Sequence, residues 1–412
     1  MTTLTQLSTK APTLCDHPEV ELLLCCARTH IEPKTAARIR TLLQQDINWA
    51  YLIQTAAQHG IIPLLYQSLS TTCPEAVPKP VLSQLRSHFH ARAFQNLFLT
   101  KELLLLKELF EVNSIPAIPY KGPVLAAWVY GNLALRQFGD LDILVHERDF
   151  LQAKKLLISQ GYRMLNTSEH EAAHLQAELW RDDDRVVVDL HYGIPPRRSQ
   201  FNSECLWECR QPVTLATTTV LTFTPEHTLL FLCVNAAKES WKSLNQICDI
   251  AQLLRTHPEL DWSQVLEQQL CPPGVTGLCI FPSLLIANEL LEIAVPEEVW
   301  QRIQVNPLVK LYVAQVCKRL REKPLSEKVS SLPLDDFEYF LFNFTSEISP
   351  NQINNGWYLV WHFLRSAFTP TERDQEFLPL PSSLSSLYYL VRPIRLLGKW
   401  GLNPVKRLLG GK

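Results

Sequence analysis

Two aspartates separated by a single residue lie within an apolar segment of the chain. Asp140 and Asp142 lead into the apolar run Ile143–Val145, whose β-branched residues are typical of a strand. Side chains alternate between the two faces of a strand, so both carboxylates point the same way. Two carboxylates held this close repel each other unless a cation lies between them. Mg²⁺ suits such a site because it takes carboxylate oxygens and leaves positions for substrate phosphates.

A second apolar segment offers a third carboxylate. Asp189 lies in a strand predicted over residues 185–192, with His191 on the same face. Three carboxylates on neighbouring strands can hold two Mg²⁺ ions for an in-line displacement at phosphorus. His191 fits two roles, either orienting a carboxylate or acting as an acid or base, or packing as a hydrogen-bonded histidine. The other Asp-x-Asp pair, Asp182 and Asp184, lies in a charged run that predicts a solvated hairpin loop.

The segment upstream of the aspartate pair is suited to receive phosphate. Ile115–Tyr120 is short and apolar and contains two prolines, which predicts an edge strand. Lys121 and Gly122 follow, and Pro123 predicts the first turn of a helix, whose N-terminal N–H groups can bind phosphate. Lys121 can contact a phosphate or cap the strand in solvent.

Two further basic residues are candidates for nucleotide binding. Arg136 precedes the aspartate strand, and its guanidinium can hold a triphosphate or pyrophosphate. The alternative for Arg136 is an ion pair with Asp140 or a neighbouring acid, and we favour the phosphate role. Lys238 can reach the nucleotide from the following helical region, with an ordinary surface lysine as the alternative. Asp249, in an otherwise apolar helix, is predicted to be a buried partner of a Lys or Arg.

The elements that must position these residues predict an α+β fold that is mostly helical. Glycine is scarce at 13 residues and proline abundant at 28, which favours helices whose ends are marked by proline. A strand-helix-strand-helix-strand order interrupts this helical texture and predicts a small mixed sheet. The predicted organisation is an N-terminal arm (1–16), a helical N-terminal domain (17–112), an α/β module (113–224), a helical C-terminal domain (225–384) and a basic tail (385–412).

Composition narrows the class of protein. The chain has 412 residues and a formal net charge of -2, so no global positive field draws it onto nucleic acid or an anionic membrane. It contains 11 cysteines without a CxxC pair, which gives no support to a zinc ribbon. No apolar run reaches the ~18 residues that a membrane span requires. We therefore expect a cytoplasmic protein with reduced thiols and no transmembrane segment.

The basic tail alternates apolar residues with cations and carries no acid. Its cations are Arg392, Arg395, Lys399, Lys406, Arg407 and Lys412. This pattern fits contact with an anionic membrane surface or with RNA phosphates. It also fits a segment that packs onto the body of the protein, and we favour this alternative.

Taken together, these motifs resemble a known family. Tyr120-Lys121-Gly122, Arg136, Asp140–Val145 and Val188–His191 are similar to the signature "KG…R…DIDLLV" of an uncharacterised nucleotidyltransferase family in the DNA-polymerase-beta-like superfamily. Later stretches, Ala237–Ala251 and Leu378–Pro393, resemble it as well. The resemblance extends over residues 17 to 400. It implies a nucleotidyltransferase module with a polymerase-beta-like sheet.

The resemblance also implies an activity and the residues that perform it. The reaction is Mg²⁺-dependent transfer of a nucleoside monophosphate from an NTP, with ATP as the first candidate, to a hydroxyl of an unknown small molecule, sugar or peptide. Asp140 and Asp142 would ligate two Mg²⁺ ions, with Mn²⁺ as a substitute. Asp189 would ligate the catalytic ion and help to deprotonate the acceptor. Gly122 would let the backbone approach the triphosphate, which Lys121, Arg136 and Lys238 would contact.

One departure from the superfamily pattern keeps other functions open. The usual Gly-Ser before the helix is Gly122-Pro123, which removes a hydroxyl and an N–H donor. A catalytically inactive relative that binds a nucleotide or a partner, or an antitoxin-type protein, therefore remains an alternative. A glycosyltransferase with an Asp-x-Asp motif is disfavoured, because the helical N-terminal third supplies no large doubly wound sheet.

Overall fold

The computed structural model describes residues 4–5, 17–164, 175–181, 185–193, 203–266, 279–303, 307–321, 377–378, 384 and 387–400. Contacts divide the chain into two units, Met1–Pro324 and Leu325–Lys412. The second unit contains helix α15 (Tyr388–Trp400). A further helix that the sequence predicts over 357–366 lies outside the described residues. In the part of the chain that the structure describes, no helix is long and apolar enough to cross a membrane.

Five helices precede the sheet, in the region that the sequence predicts to be helical. They are α1 (Pro18–Cys26), α2 (Pro33–Leu42), α3 (Trp49–Gln58), α4 (Ile62–Thr72) and α5 (Lys79–Val112), with a 3₁₀ turn at Pro74–Ala76. Four of them carry proline in the first turn, where its missing N–H leaves no intrahelical bond unmade. Helix α3 is capped instead by Asn48, whose side chain accepts from the N–H of Tyr51.

A five-stranded mixed sheet carries the candidate site. Its strands are β2 (Ala117–Pro119), β3 (Asp140–Val145), β4 (Tyr162–Met164), β5 (Gln176–Arg181) and β6 (Val187–His191), in the order β2-β3-β6-β5-β4. Only β3 and β6 are parallel; the other pairs are antiparallel. Strand β2 lies at an edge, as the prolines of that segment predict.

The sheet has one apolar face and one face that carries the carboxylates. Helices α6 (Gly122–Trp128) and α7 (Glu147–Ser159) connect its strands. The apolar face of β3 and β6 packs with α5 and α7 in one core that includes Leu141, Leu103 and Leu157. Burying this face fixes the strand register, because a slip of one residue would turn the carboxylates into the core.

The chain continues into a hairpin and further helices. These are α8 (Ser203–Glu208), β7 (Arg210–Leu215), β8 (Thr218–Phe223), α9 (Pro225–Lys238), α10 (Leu244–Thr256), α11 (Trp262–Leu266), α12 (Phe281–Leu291), α13 (Glu297–Ile303) and α14 (Pro307–Arg321). A short bridge pairs β1 (Leu4–Thr5) with β9 (Val295–Pro296). Helix α10 begins with a capping box at Ser243. The N-terminal helices contact the same helix, since the N–H of Asn245 donates to the carbonyl of His59.

Candidate active site

Strand register brings two of the predicted carboxylates side by side. Asp142 on β3 is the direct partner of Asp189 on the parallel strand β6. Ligand atoms of Asp142, Asp189 and His191 lie within 4.8 Å of one another. Asp140 lies on the same face two residues earlier on β3, opposite Val187. The three predicted carboxylates and the predicted histidine therefore share one face of the sheet.

Asp142 is the most deeply buried of these carboxylates, with 5% of its surface exposed. The Lys121 ammonium donates to its Oδ1 at 2.9 Å, and His191 Nε2 lies 3.5 Å from the same oxygen. Burial alone would raise the pKa of Asp142, but the Lys121 charge and the adjacent His191 outweigh it and hold this pKa well below its usual value. Asp142 is therefore ionised throughout the physiological range.

The other two carboxylates have the opposite tendency. Burial, together with the negative charges of Asp142 and Asp140, raises the pKa of Asp189 to about 7. Burial and the charge of Asp142 also raise the pKa of Asp140. The ammonium of Lys121 thus offsets only part of the negative charge on this face of the sheet.

The donor set fits a divalent cation. Carboxylate oxygens are the preferred ligands of Mg²⁺, and an additional positive charge would relieve the repulsion that raises the pKa of Asp189. Both ring nitrogens of His191 are buried and form no hydrogen bond with the described residues, although Nε2 lies 3.5 Å from Asp142 Oδ1. Burial lowers the pKa of His191, so its ring is neutral and able to act as a ligand or an acceptor.

Helix α9 brings two polar residues to the carboxylate face. Lys121 Nζ lies 3.4 Å from the amide oxygen of Asn235. Lys238 follows Asn235 by one turn, and its charge influences Lys121, Asp142 and Asp189. The side chain of Lys238 is exposed to solvent. Nearby protein atoms nevertheless partly desolvate its ammonium group, and this lowers its pKa. Lys238 therefore lies at the rim of the site, where an incoming anion can meet it.

Gly122 allows the backbone to pass close to the aspartate strand. Its φ is +48°, and a Cβ at this position would lie 3.2 Å from the carbonyl oxygen of Asp140. The next residue, Pro123, has no N–H, and the N–H of Val124 already donates to the carbonyl of Lys121. The first turn of α6 therefore offers fewer backbone donors to a phosphate than a Gly-Ser sequence would.

Arg136 lies in a buried ion pair with the helical region. Its Nε and Nη2 atoms donate to the two carboxylate oxygens of Asp249 on α10 at 2.7 and 2.8 Å. Tyr130 also donates to Asp249, and Asn96 on α5 donates to the carbonyl of Arg136. This arrangement confirms the buried partner predicted for Asp249. It leaves Nη1 of Arg136 without a hydrogen bond in the described part of the chain.

Glu178 lies beside Asp189 in the sheet and was not predicted as a site residue from the sequence. Strand β5 lies within a stretch that appears merely polar, yet Glu178 is the direct partner of Asp189 in the sheet. Ala177 and Leu179 are buried while Glu178 and Trp180 are only partly buried, so a period of two was present in the sequence. Trp241 is 3% exposed, and its Nε1 donates to the hydroxyl of Ser283.

The sequence that forms this site matches a known protein family. The profile of a family described as Uncharacterised nucleotidyltransferase matches residues 45–287, a range that contains every residue of the candidate site. The chain belongs to this family of nucleotidyltransferases. The match is shorter than the predicted resemblance over 17 to 400, so both flanking segments lie beyond it. No curated protein matches the sequence.

One solved structure is similar to part of this nucleotidyltransferase. It is a crystal structure of an antigenic nucleotidyltransferase-like protein from Paracoccidioides brasiliensis, with 17% sequence identity and a TM-score of 0.30. The similarity covers 53% of the present chain and 92% of the other. Family membership supports a general role in nucleotidyl transfer, with an NTP as substrate and a divalent metal as the usual requirement of such enzymes.

Proposed function

We propose that this protein is a Mg²⁺-dependent nucleotidyltransferase that moves a nucleoside monophosphate from an NTP to an acceptor hydroxyl. The observation that carries the proposal is the pairing of Asp142 with Asp189 across two parallel strands, with Asp140 on the same face. These three carboxylates would hold two Mg²⁺ ions, for which Mn²⁺ can substitute. When bound, the ions would neutralise phosphate charge and polarise the α-phosphorus.

Different residues of this chain would perform different parts of the reaction. A new bond forms between the acceptor oxygen and the α-phosphorus, the bond from this phosphorus to the bridging oxygen breaks, and pyrophosphate leaves. Asp189 would ligate the catalytic ion and help to take the hydroxyl proton, as the family resemblance implies. Lys121, beside Asp142, and Lys238, at the rim of the site, would hold the triphosphate.

Gly122 and Arg136 contribute through position in this proposal. Gly122 brings the backbone that carries Lys121 against the aspartate strand. The free Nη1 of Arg136 is the part of its guanidinium that could still meet a phosphate, since Asp249 holds the rest. The neutral His191 supports Asp142 from the neighbouring strand.

A catalytically inactive nucleotide-binding protein is the second candidate. The Lys121 ammonium lies against Asp142, where a cation would otherwise be required, and Pro123 removes a phosphate donor. In such a protein Lys121 would permanently replace part of the metal charge. This candidate predicts nucleotide binding that does not depend on Mg²⁺.

Calorimetric titration of ATP, CTP, GTP and UTP, with and without Mg²⁺, separates these candidates. The active enzyme is expected to bind at least one NTP only with Mg²⁺, and the double variant Asp140→Ala/Asp142→Ala should lose that binding. The matched control is Asp182→Ala/Asp184→Ala, which removes the other Asp-x-Asp pair of the sequence. Binding that persists in the Asp140/Asp142 variant, or is equal without Mg²⁺, would contradict the proposal.

A further inference from the structure

Helix α5 exposes a stripe of large apolar residues opposite its buried side. The exposed fractions are 76% for Phe94, 58% for Leu97, 49% for Leu105 and 77% for Val112. Phe94 and Val112 are 18 residues apart, which corresponds to five turns, so the stripe runs straight along the helix. A row of large apolar side chains exposed along one face of a helix is a candidate protein interaction site.

Two charged residues interrupt the apolar stripe and lie in line with it. Lys101 and Glu108 are exposed, and neither forms an ion pair within the described residues. They are seven residues apart, a rise of about 10.5 Å, which is too far for them to pair on one helix. The nearby Lys107 is already paired with Glu111 at 2.7 Å. Lys101 and Glu108 are therefore free to pair with an external partner.

The part of the stripe from Leu97 to Val112 is complementary to itself when two copies run antiparallel, whereas Phe94 lies beyond the paired length. A twofold axis between Leu104 and Leu105 places each of these leucines opposite the other in the partner helix. The same axis places Lys101 opposite the equivalent of Glu108, and Leu97 opposite the equivalent of Val112. Opposite charges then meet on both sides of a central apolar contact, as they do in antiparallel helix pairs.

A groove alongside the stripe can receive side chains from such a partner. A cavity of about 500 Å³ lies between α5 and the β7–β8 turn, and Leu104, Leu133, Ala216 and Thr218 contribute to its lining. Leu133 belongs to the loop that Asn96 holds through the Leu133 carbonyl just before the aspartate strand. A partner helix in this groove would therefore cover the loop that leads to Asp140.

We propose that a second copy of this chain docks antiparallel on α5, which makes the protein a twofold-symmetric homodimer. A parallel helix pair would place Lys101 opposite Lys101 and Glu108 opposite Glu108, which is repulsive. The match of Lys101 with the equivalent of Glu108 requires only charges that this chain itself carries. Both considerations favour a second copy as the occupant.

The mass of the full-length protein in solution tests the docking. Light scattering after size exclusion is expected to give twice the chain mass of 47.2 kDa. Lys101→Glu and Glu108→Lys should each raise the dissociation constant roughly tenfold or more, because each sets like charges against each other twice. Lys34→Glu, an equivalent reversal at an exposed site on α2, is the matched control and should leave the mass unchanged.

Restoring complementarity provides the sharper comparison. The double variant Lys101→Glu/Glu108→Lys should dimerise like the wild type, because the exchanged charges again face their opposites. A mixture of the two single variants should form heterodimers in preference to either homodimer. A monomeric wild type at about 100 μM, a dimer that neither reversal weakens, or a double variant that stays monomeric would each overturn the proposal.

Discussion

At the scale of single residues, the site depends on carboxylates that share a surface but differ in charge state. Lys121 and His191 keep Asp142 ionised, whereas Asp189 has a pKa of about 7. The difference arises because one carboxylate has a cation at 2.9 Å and the other faces mainly negative neighbours. A bound cation would supply the charge that Asp189 lacks.

This difference predicts that metal affinity depends on pH. Below about pH 7 a metal ion must displace the proton of Asp189, so Mn²⁺ should bind about tenfold more tightly at pH 8 than at pH 6. Titration followed by Mn²⁺ spectroscopy measures this. Asp189→Asn should weaken binding and flatten its pH dependence, while Asp46→Asn, at an exposed aspartate, should do neither. An unchanged pH profile in Asp189→Asn would contradict the assignment.

The same pKa determines whether the stability of the metal-free protein rises or falls with pH. The folded pKa of Asp189 lies above its ordinary value, so between about pH 4 and pH 7 the folded state binds more protons than the unfolded state. The contribution of Asp189 to the free energy of unfolding therefore falls as the pH rises through this range. A metal ion that binds Asp189 should restore stability most strongly above pH 7.

At the scale of elements, the sequence predicted the site strands because their patterns are strong. The Asp140–Val145 strand is found as predicted, and residues 185–192 contain β6. Strand β5 and the β7–β8 hairpin were missed, although their buried apolar residues alternate with more exposed ones, because so short a pattern is a weak signal. Glu178 was missed with β5, since only strand pairing reveals that it faces Asp189.

The role of Arg136 shows what the sequence leaves open. An arginine before an aspartate strand fits both phosphate binding, which we favoured from the sequence, and ion pairing. Only the tertiary structure brings Asp249, 113 residues away in the chain, to 2.7 Å from it. The pair ties the loop before β3 to α10, so removing either partner would leave a buried charge unpaired.

The connection between β2 and α6 yields a prediction with a built-in control. Gly122 and Gly131 both have positive φ, +48° and +67°, so alanine at either costs roughly 1–2 kcal/mol of backbone strain. Only at Gly122 would the Cβ press on the Asp140 carbonyl, whereas nothing lies within 4 Å at Gly131. Gly122→Ala should therefore weaken Mg²⁺-NTP binding roughly tenfold beyond Gly131→Ala, as calorimetry can measure. Equal effects of the two variants would show that close approach to Asp140 is unimportant.

At the scale of the whole molecule, helices on both sides of the sheet hold the site together. Helix α5 fixes the loop that contains Arg136 through Asn96, and α9 brings Asn235 to Lys121. The α+β fold class predicted from the sequence is confirmed, whereas the predicted domain boundaries remain predictions. The sequence could not predict these inter-element contacts, because they join residues that are 40 and 114 positions apart.

The most direct test of the central claim is a crystal structure of the protein with Mn²⁺ and a non-hydrolysable ATP analogue. Anomalous scattering locates manganese without reference to the protein's geometry. The account predicts manganese bound between Asp142 and Asp189, with the triphosphate of the analogue beside it and within reach of Lys121. Nucleotide or manganese bound only elsewhere, with the Lys121–Asp142 ion pair unchanged, would contradict it.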